Sequence, residues 1–256
     1  MDMDTAIAAF DIGPTDFSAS QRHDLDQKGY FRTNSAFTLS QCAQMAAAFD
    51  RIKEQEGVRA GHEVSQEQGA VTIANIFNKS EAFDCTLNCK PLLAAAWYLL
   101  GDCKVHGANM REPQRGAGQQ PLHSDATRRP DGGWRIMNAL ILLDDMTLEN
   151  GPTRVVPGSH NWPAINVPAE NVVNEATGEL MSRPNETQEW AVEGKGTSNQ
   201  DLVQSGTCQD GIAPANPFAS YPGEEVLTAP AGTMIVVNSH LWHSGTRNLS
   251  GARRRM

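Results

Sequence analysis

The triplet His123-Ser124-Asp125 is the part of the sequence whose residue types most directly suggest chemistry. In an extended segment, residues two apart point to the same face, so the imidazole of His123 and the carboxylate of Asp125 could bind one ion together. A second histidine from a distant strand would complete a facial set of two histidines and one carboxylate, which leaves coordination positions open on a metal such as Fe(II). Alone, the triplet is more typical of a surface turn.

Two histidines near the C-terminal end are candidates for the missing ligand. The segment 233–243, with the sequence TMIVVNSHLWH, is predicted as one strand in which alternate residues face opposite sides. His243 then shares its face with Ser239 and Leu241, whereas His240 points to the other side. One of the two histidines can therefore supply the third ligand.

A run of three arginines, Arg253–Arg255, begins ten residues after His243 and should start the neighbouring strand. A guanidinium presents a planar fork of donors that matches a carboxylate. An arginine beside an open metal position would therefore suit a chelating 2-oxo acid.

Composition and charge describe an ordinary globular chain. Its 256 residues are 39% hydrophobic and 20% charged, which favours a single domain spanning 1–256. The net charge of −9 argues against nucleic acid or an anionic membrane as the main partner, because both require a basic surface. No apolar run reaches the roughly 20 residues needed to cross a bilayer, and the first residues are acidic where a secretion signal would be basic. We therefore expect a cytoplasmic protein.

The five cysteines are scattered and odd in number, so a disulfide framework is not expected. Cys85 and Cys89 could supply half of a zinc site. No second Cys/His pair lies nearby at matching spacing, so buried or incidental thiols are the favoured interpretation.

Helices are predicted mainly in the first half of the chain. Thr38 and Gln41 form a capping-box pair before a helix over 39–55, whose apolar face is Leu39, Cys42, Met45, Phe49 and Ile52. Pro91 begins a second helix that ends at Gly101. Residues 1–20 carry few periodic apolar positions and are predicted as a loose lead-in.

Strands dominate the second half, which places the chain in the α+β class with a β-barrel or sandwich holding the chemistry. The predicted strands are 30–31, 71–77, 103–110, 136–143, 153–156 and 233–243. The segment 136–143 (IMNALILL) is apolar on both faces and is predicted as a central strand covered on both sides. Residues 161–223 are long, polar and weakly periodic, which indicates a lid, a binding insert or disorder.

Spaced motifs in this chain resemble the phytanoyl-CoA dioxygenase family of Fe(II)/2-oxoglutarate-dependent oxygenases. They are the triplet at 123–125, NGPTRVVPGSH at 150–160 and PAGTMIVVNSHLWHSGTRN at 230–248. The segments DLDQKGYF at 24–31 and KPLLAAAWYLLGD at 90–102 are similar to the family's opening half.

The resemblance implies a fold and leaves one segment without a counterpart. It implies a double-stranded β-helix, that is, a jelly-roll or cupin-like barrel, with flanking N-terminal helices. The segment 161–223 has no equivalent and would serve as a lid.

The resemblance also implies roles for individual residues. The implied iron ligands are His123, Asp125 and His243. Arg254 lies eleven residues after His243, which matches the family spacing and marks it as the anchor for 2-oxoglutarate. Asn109 or Gln120 would touch the C1 carboxylate of that cosubstrate, and His160 would be a structural turn residue. With Fe(II), 2-oxoglutarate and O2, the implied reaction hydroxylates an unactivated C–H bond of a small molecule and releases succinate and CO2.

Two features bear on the reaction and the substrate. Asp125 is present, whereas halogenating relatives have lost this carboxylate, so oxygen insertion or another hydrogen-abstraction outcome is favoured over halogenation. Arg128, Arg129 and Arg135 flank the triplet in an acidic chain. They could form a rim that holds an anionic substrate, or simply a solvated loop.

Alternatives remain open on the sequence alone. The same iron site could catalyse desaturation, epimerisation or ring formation, and a non-catalytic β-barrel binding protein or a zinc hydrolase are readings from other classes. The chain ends at Met256, two residues past Arg254, where the family continues through a further strand. We therefore expect either a shortened C-terminus or a very short arginine-bearing strand, whose frayed end would weaken the hold of Arg254 on 2-oxoglutarate.

Overall fold

A computed structural model describes residues 2–64, 69–167, 171–173, 180–182 and 213–256. Within them the α-helices are α1 (Met3–Ala9), α2 (Ala19–Lys28), α3 (Leu39–Glu56) and α4 (Lys90–Leu100). The strands are β1 (Tyr30–Thr33), β2 (Ala70–Ile73), β3 (Met110–Pro113), β4 (Met137–Ile141), β5 (Thr153–Val155), β6 (Asn171–Val173), β7 (Leu180–Ser182), β8 (Glu225–Val226), β9 (Met234–Asn238) and β10 (His243–Gly245). Short 3-10 helices cover Gly57–Arg59, Ile76–Asn78, Glu81–Thr86 and Ser159–Asn161.

Helix α3 confirms the predicted start and most of the predicted buried face. The Thr38 side chain accepts a hydrogen bond from the backbone N–H of Gln41, and the Gln41 side chain accepts one from the N–H of Thr38. This capping box satisfies amide groups that the start of a helix leaves without partners. Cys42 and Met45 are buried as predicted, but Leu39 is 70% exposed because it lies at the first helical position, ahead of the packed turns.

The predicted loose lead-in over 1–20 is wrong. Asp2 caps α1, and Ser18 forms a capping box with Gln21 at the start of α2. No side chain of α1 is buried, so this helix has no apolar face that a sequence pattern could reveal. The polar capping residues were the available signal.

Two three-stranded antiparallel sheets carry the second half of the chain. Their strand orders are β1-β9-β4 and β10-β5-β8, and β2 pairs with β3 separately. Among the described strands, β4 therefore lies at the edge of its sheet, so the prediction that 136–143 forms a central strand is wrong. The central strand is β9, whose five residues are all buried.

Strand β9 separates two apolar clusters by simple alternation. Met234 and Val236 pack with the buried faces of the helices, whereas Ile235 and Val237 belong to a second cluster with Leu142 and other residues. Burial on both faces is what a central strand requires. Helices on one side of the sheet and a second apolar cluster on the other confirm the α+β class.

The predicted strand over 233–243 is interrupted. β9 ends at Asn238, where the Asn238 side-chain oxygen accepts the N–H of His240 and its carbonyl accepts the N–H of Leu241. An asparagine side chain that bonds the backbone two residues on is a typical turn former. The alternation argument that placed Ser239, Leu241 and His243 on one face therefore fails, because the turn resets the direction of the side chains before β10.

Two further predicted strands are displaced along the sequence. β2 stops at Ile73, because Asn75 adopts a left-handed conformation (φ 53°) and starts a 3-10 turn. The segment predicted over 103–110 is mostly irregular, and β3 begins at Met110.

The last residues of the chain are held on both sides, so the expectation of a frayed end is wrong. The backbone N–H of Arg111 donates to the carbonyl of Met256 at 2.9 Å. On the other side, the N–H of Leu143 donates to the carbonyl of Arg255 at 2.9 Å.

The segment 161–223 lies largely outside the described residues. Its described part includes β6 paired with β7. The lid therefore remains a prediction. No helix in the part of the chain that the structure describes is long and apolar enough to cross a membrane.

Gly29 offers a test of how α2 is joined to the sheet. Its φ is +84°, and an added Cβ would lie 2.6 Å from Nδ1 of His160. We expect Gly29→Ala to lower the free energy of unfolding by about 2 kcal/mol, because of the left-handed backbone and the close contact. Gly13→Ala is the matched control, since nothing lies within 4 Å of its added Cβ. Equal urea unfolding curves for the two variants would contradict this account.

Candidate metal centre

Three side chains predicted from the sequence meet at one point. Donor atoms of His123, Asp125 and His243 all lie within 4.8 Å of one another. Nε2 of each histidine is 3.5 Å from Oδ1 of Asp125. His123 is nearly buried, whereas the side chains of Asp125 and His243 are 22% and 17% exposed, so the cluster can be reached from solvent.

Backbone pairing brings these residues together. His123 and His243 form a two-way bridge, in which the N–H of His123 donates to the carbonyl of His243 at 3.0 Å and the reverse bond is 2.9 Å. The N–H of Asp125 donates to the carbonyl of Ser239 at 2.8 Å. The segment carrying the triplet is therefore bonded at His123 to the start of β10 and at Asp125 to the turn after β9.

The backbone also fixes the tautomer of each imidazole. Nδ1 of His123 lies 2.9 Å from the carbonyl of Pro121, and Nδ1 of His243 lies 2.8 Å from the carbonyl of Leu241. A carbonyl only accepts hydrogen bonds, so Nδ1 must carry the proton in both rings. The lone pair is then on Nε2, the atom that faces Asp125, as in metal sites whose ligands are oriented by a second hydrogen bond.

Asn138 orients the carboxylate, and sequence reasoning missed it. Its Nδ2 donates to Oδ2 of Asp125 at 2.6 Å, which leaves Oδ1 directed at the two imidazoles. A single amide in the otherwise apolar strand β4 was the signal that could have identified it. Without this bond, Oδ2 of Asp125 would lose its amide partner, and the carboxylate would be free to turn away from the imidazoles.

The electrostatics of the cluster fit a cation. Burial would raise the pKa of Asp125, but His243 and His123 outweigh it and hold that pKa well below its usual range. Burial would also lower the pKa of His243, yet Asp125 raises it. Both shifts show that a positive charge beside the Asp125 carboxylate is stabilised, and a bound metal ion would supply that charge.

Arg254 is fully buried near the end of the chain. Its Nη1 contacts the sulfur of Met256. Strand β3 lies beside this region: Arg111 pairs with Met256 through its backbone and donates from Nη2 to the carbonyl of Gly118 at 2.7 Å.

The two residues expected at the C1 carboxylate have different surroundings. Oε1 of Gln120 accepts the N–H of Gly245 at 2.8 Å, which places Gln120 two residues from His243 along β10. Oδ1 of Asn109 accepts the N–H of Asn75 at 3.2 Å, at the turn after β2.

The two arginines expected at the rim also differ. The Arg128 guanidinium lies 3.8 Å from the centre of the Trp134 ring and donates to Oδ1 of Asn161 at 3.1 Å. Arg129 is paired with Asp131 at 2.9 Å, and both side chains are about half exposed. Arg128 is therefore ordered against an aromatic surface, whereas Arg129 is a solvent-facing ion pair.

The remaining histidines near the cluster are not among the converging ligands. His240 is buried, and its ring packs 5.1 Å from that of Trp134; burial and Arg128 lower its pKa to about 4. Nε2 of His160 lies 3.1 Å from the carbonyl of Asp26, in the turn where the sequence predicted a structural histidine.

Solved structures share this fold across nearly the whole chain. EctD from S. alaskensis with bound Fe superimposes with a TM-score of 0.63 at 19% identity, covering 94% of this chain and 74% of that chain. HygX from Streptomyces hygroscopicus with nickel and 2-oxoglutarate bound gives 0.61 at 13% identity, covering 93% and 84%. The non-heme alpha ketoglutarate dependent carbocyclase SnoK from nogalamycin biosynthesis gives 0.60 at 17% identity, covering 95% and 84%. The chain thus shares its overall fold with these structures, and its antiparallel sheets flanked by helices agree with that likeness.

The chain belongs to the phytanoyl-CoA dioxygenase (PhyH) family, whose model matches residues 25–256. The L-proline trans-4-hydroxylase of Streptomyces griseoviridis is 30% identical over 132 residues, which are 52% of this chain and 41% of that protein. Dioxygenase andF of Emericella variicolor is 36% identical over 69 residues, 24% of each chain. The matched region is therefore less than half the length of either relative.

Asn138 provides a test of how the cluster is oriented. We expect Asn138→Ala to weaken Fe(II) binding by about tenfold, because Asp125 loses the bond that directs Oδ1. Anaerobic Fe(II) titration measures this, with Asn88→Ala as the control at an exposed asparagine. Unchanged Fe(II) affinity in Asn138→Ala would show that the hydrogen bond has no bearing on metal binding.

Proposed function

We propose that the protein is an Fe(II)/2-oxoglutarate-dependent dioxygenase in which His123, Asp125 and His243 bind the iron. The observation that carries this proposal is the convergence of two Nε2 atoms and one carboxylate oxygen, with both imidazoles held by backbone carbonyls. Such a facial set leaves the opposite side of the metal open for the cosubstrate and O2. Membership of the phytanoyl-CoA dioxygenase family supports the same activity.

The residues of this chain supply binding, orientation and exclusion of water. When bound, Fe(II) and 2-oxoglutarate supply O2 activation and oxidation of an unactivated C–H bond, with succinate and CO2 as coproducts. His123 and His243 would hold the metal on paired backbone, so that little reorganisation is needed on binding. Asn138 would keep Asp125 turned toward the metal.

Arg254 is the proposed anchor for the distal carboxylate of 2-oxoglutarate. Its complete burial supports this role, because a guanidinium in a low-dielectric site binds a carboxylate more strongly than one in water. Gln120, beside β10, and Asn109 are the proposed contacts of the C1 carboxylate. Arg254 at one end and the metal at the other would hold the cosubstrate in one orientation.

Hydroxylation of a small molecule is the reaction that we propose. Asp125 supplies the carboxylate that halogenating relatives lack, and the relative named as an L-proline trans-4-hydroxylase supports oxygen insertion. The metal cluster is partly exposed, so a small substrate can approach it.

An anionic substrate is proposed on the basis of Arg128. This residue stacks on Trp134, whose ring also contacts His240 and His160. Stacking holds the guanidinium in place at little further entropic cost, which favours recognition of a carboxylate.

Anaerobic titration of the protein with Fe(II) and 2-oxoglutarate tests the proposed activity at its first step. We expect the weak visible charge-transfer band of the iron chelate in the wild type and its loss in His123→Ala. His62→Ala, at an exposed histidine, should keep the band. A wild-type protein that binds Fe(II) without developing the band would contradict the proposal.

Succinate release from a panel of amino and oxo acids, including L-proline, tests the proposed substrate contact. For any compound that is turned over, we expect Arg128→Ala to raise KM about tenfold, because one charge-assisted hydrogen bond is lost. Arg129→Ala is the matched control, because Asp131 already pairs with that charge. If both variants keep the wild-type KM, the proposed role of Arg128 is wrong.

A further inference from the structure

The side chains of the three arginines near the end of the chain, Arg253–Arg255, point alternately to opposite faces of the extended segment. Arg254 is fully buried, whereas the side chains of Arg253 and Arg255 point away from it to carboxylates on the outer side. We propose that these carboxylates, Asp144, Asp50 and Glu112, are positioning residues for 2-oxoglutarate, because they hold the flanking arginines and thereby keep Arg254 directed inward. This inference rests on the proposed function, in which Arg254 anchors the cosubstrate.

Asp144 makes the most complete contact of the set. Its Oδ2 accepts the backbone N–H and Nε of Arg255, each at 2.8 Å, and its Oδ1 accepts Nη2 at 2.6 Å. Both side chains are largely buried, at 12% and 20% exposed. Because Asp144 accepts the backbone N–H of Arg255 as well as its guanidinium, the contact fixes the direction of the Arg255 side chain and also compensates its charge.

Arg253 is held in a similar way by two other elements. Its Nε is in short contact with Glu112 of β3, and its Nη1 donates to Asp50 of α3 at 3.0 Å. Glu112 is itself buried and is bonded by Lys53 at 3.1 Å. Because a buried carboxylate without a cationic partner is costly, loss of Arg253 from Glu112 would be opposed.

Asp50 joins the two flanking arginines. It accepts from Arg253 and also from Nη1 of Arg255 at 3.1 Å. The carboxylates thus come from three separate elements: helix α3, strand β3 and the residues that follow β4. Together they compensate the charges of Arg253 and Arg255.

The run of three arginines explains why these carboxylates are needed. In an extended segment, a shift by one residue exchanges the inner and outer faces. Because three identical residues stand in a row, a shifted segment would still place an arginine inward, and side-chain shape alone would not oppose the error. The outer carboxylates distinguish the registers, since only one register gives both flanking arginines their partners. A displaced Arg254 would meet the distal carboxylate of 2-oxoglutarate poorly, and small displacements in a binding site are costly.

Separate titrations with Fe(II) and with 2-oxoglutarate test the inference. For Asp144→Asn, we expect the dissociation constant for 2-oxoglutarate to rise about tenfold, while that for Fe(II) changes by less than about twofold, because only the cosubstrate anchor moves. Asp144→Glu should restore part of the loss. Asp24→Asn, which removes an exposed ion pair with Lys28, is the matched control and should bind as the wild type does.

Two results with a folded Asp144→Asn protein would overturn the inference. A folded Asp144→Asn protein with wild-type affinity for 2-oxoglutarate would show that the carboxylate does not position Arg254. Equal losses of Fe(II) and 2-oxoglutarate binding would show a general structural role. If Asp144→Asn does not fold, Asp50→Asn carries the same test at a more exposed carboxylate. Arg254→Met separates the two proposals: if it binds 2-oxoglutarate like the wild type, the anchor itself has been misassigned, whatever the carboxylates do.

Discussion

The two-way backbone bridge between His123 and His243 is the interaction on which the rest of the site depends. It places two rings from distant parts of the chain 4.4 Å apart, measured between their centres. In each ring, Nδ1 is hydrogen-bonded to the carbonyl of the residue two positions earlier in the chain. This bond fixes the orientation of the ring and therefore the direction in which Nε2 points. Protein folding therefore orders the ligands before any metal arrives, and the cost of arranging them belongs to folding rather than to binding.

The turn after β9 completes this arrangement. The Asn238 side chain ends the strand, and the next residues supply carbonyls to the triplet segment: Ser239 accepts the N–H of Asp125, and His240 accepts the hydroxyl of Ser124 at 3.1 Å. A continuous strand over 233–243 could not have done this, because its carbonyls would have been used by neighbouring strands. The interruption is thus a functional part of the fold and the reason that β10 can bring His243 to His123.

The sequence predicted which side chains converge, but it did not predict the backbone path that brings them together. His123, Asp125 and His243 could be named from motifs, because metal binding constrains residue type and spacing. The capping boxes of α2 and α3 are local patterns that a sequence can reveal, although only that of α3 was predicted. Alternation along 233–243 failed because one asparagine side chain competed with the strand. Asn138 is distinctive as the one amide of an apolar strand, but its partner Asp125 could not be predicted, since sequence spacing does not reveal a contact between those segments. Spacing alone selected Arg254 among the three arginines, whereas the carboxylates that bind its two neighbours come from three distant elements that spacing does not reveal.

A crystal structure of the protein with Ni(II) and 2-oxoglutarate would test the central claim most directly. The account predicts that the metal is bound by Nε2 of His123, Nε2 of His243 and Oδ1 of Asp125, with 2-oxoglutarate completing the open side and its distal carboxylate on Arg254. Metal bound through Nδ1 of either histidine, or 2-oxoglutarate placed away from Arg254, would contradict the account, because the backbone carbonyls and the buried guanidinium would then have other roles.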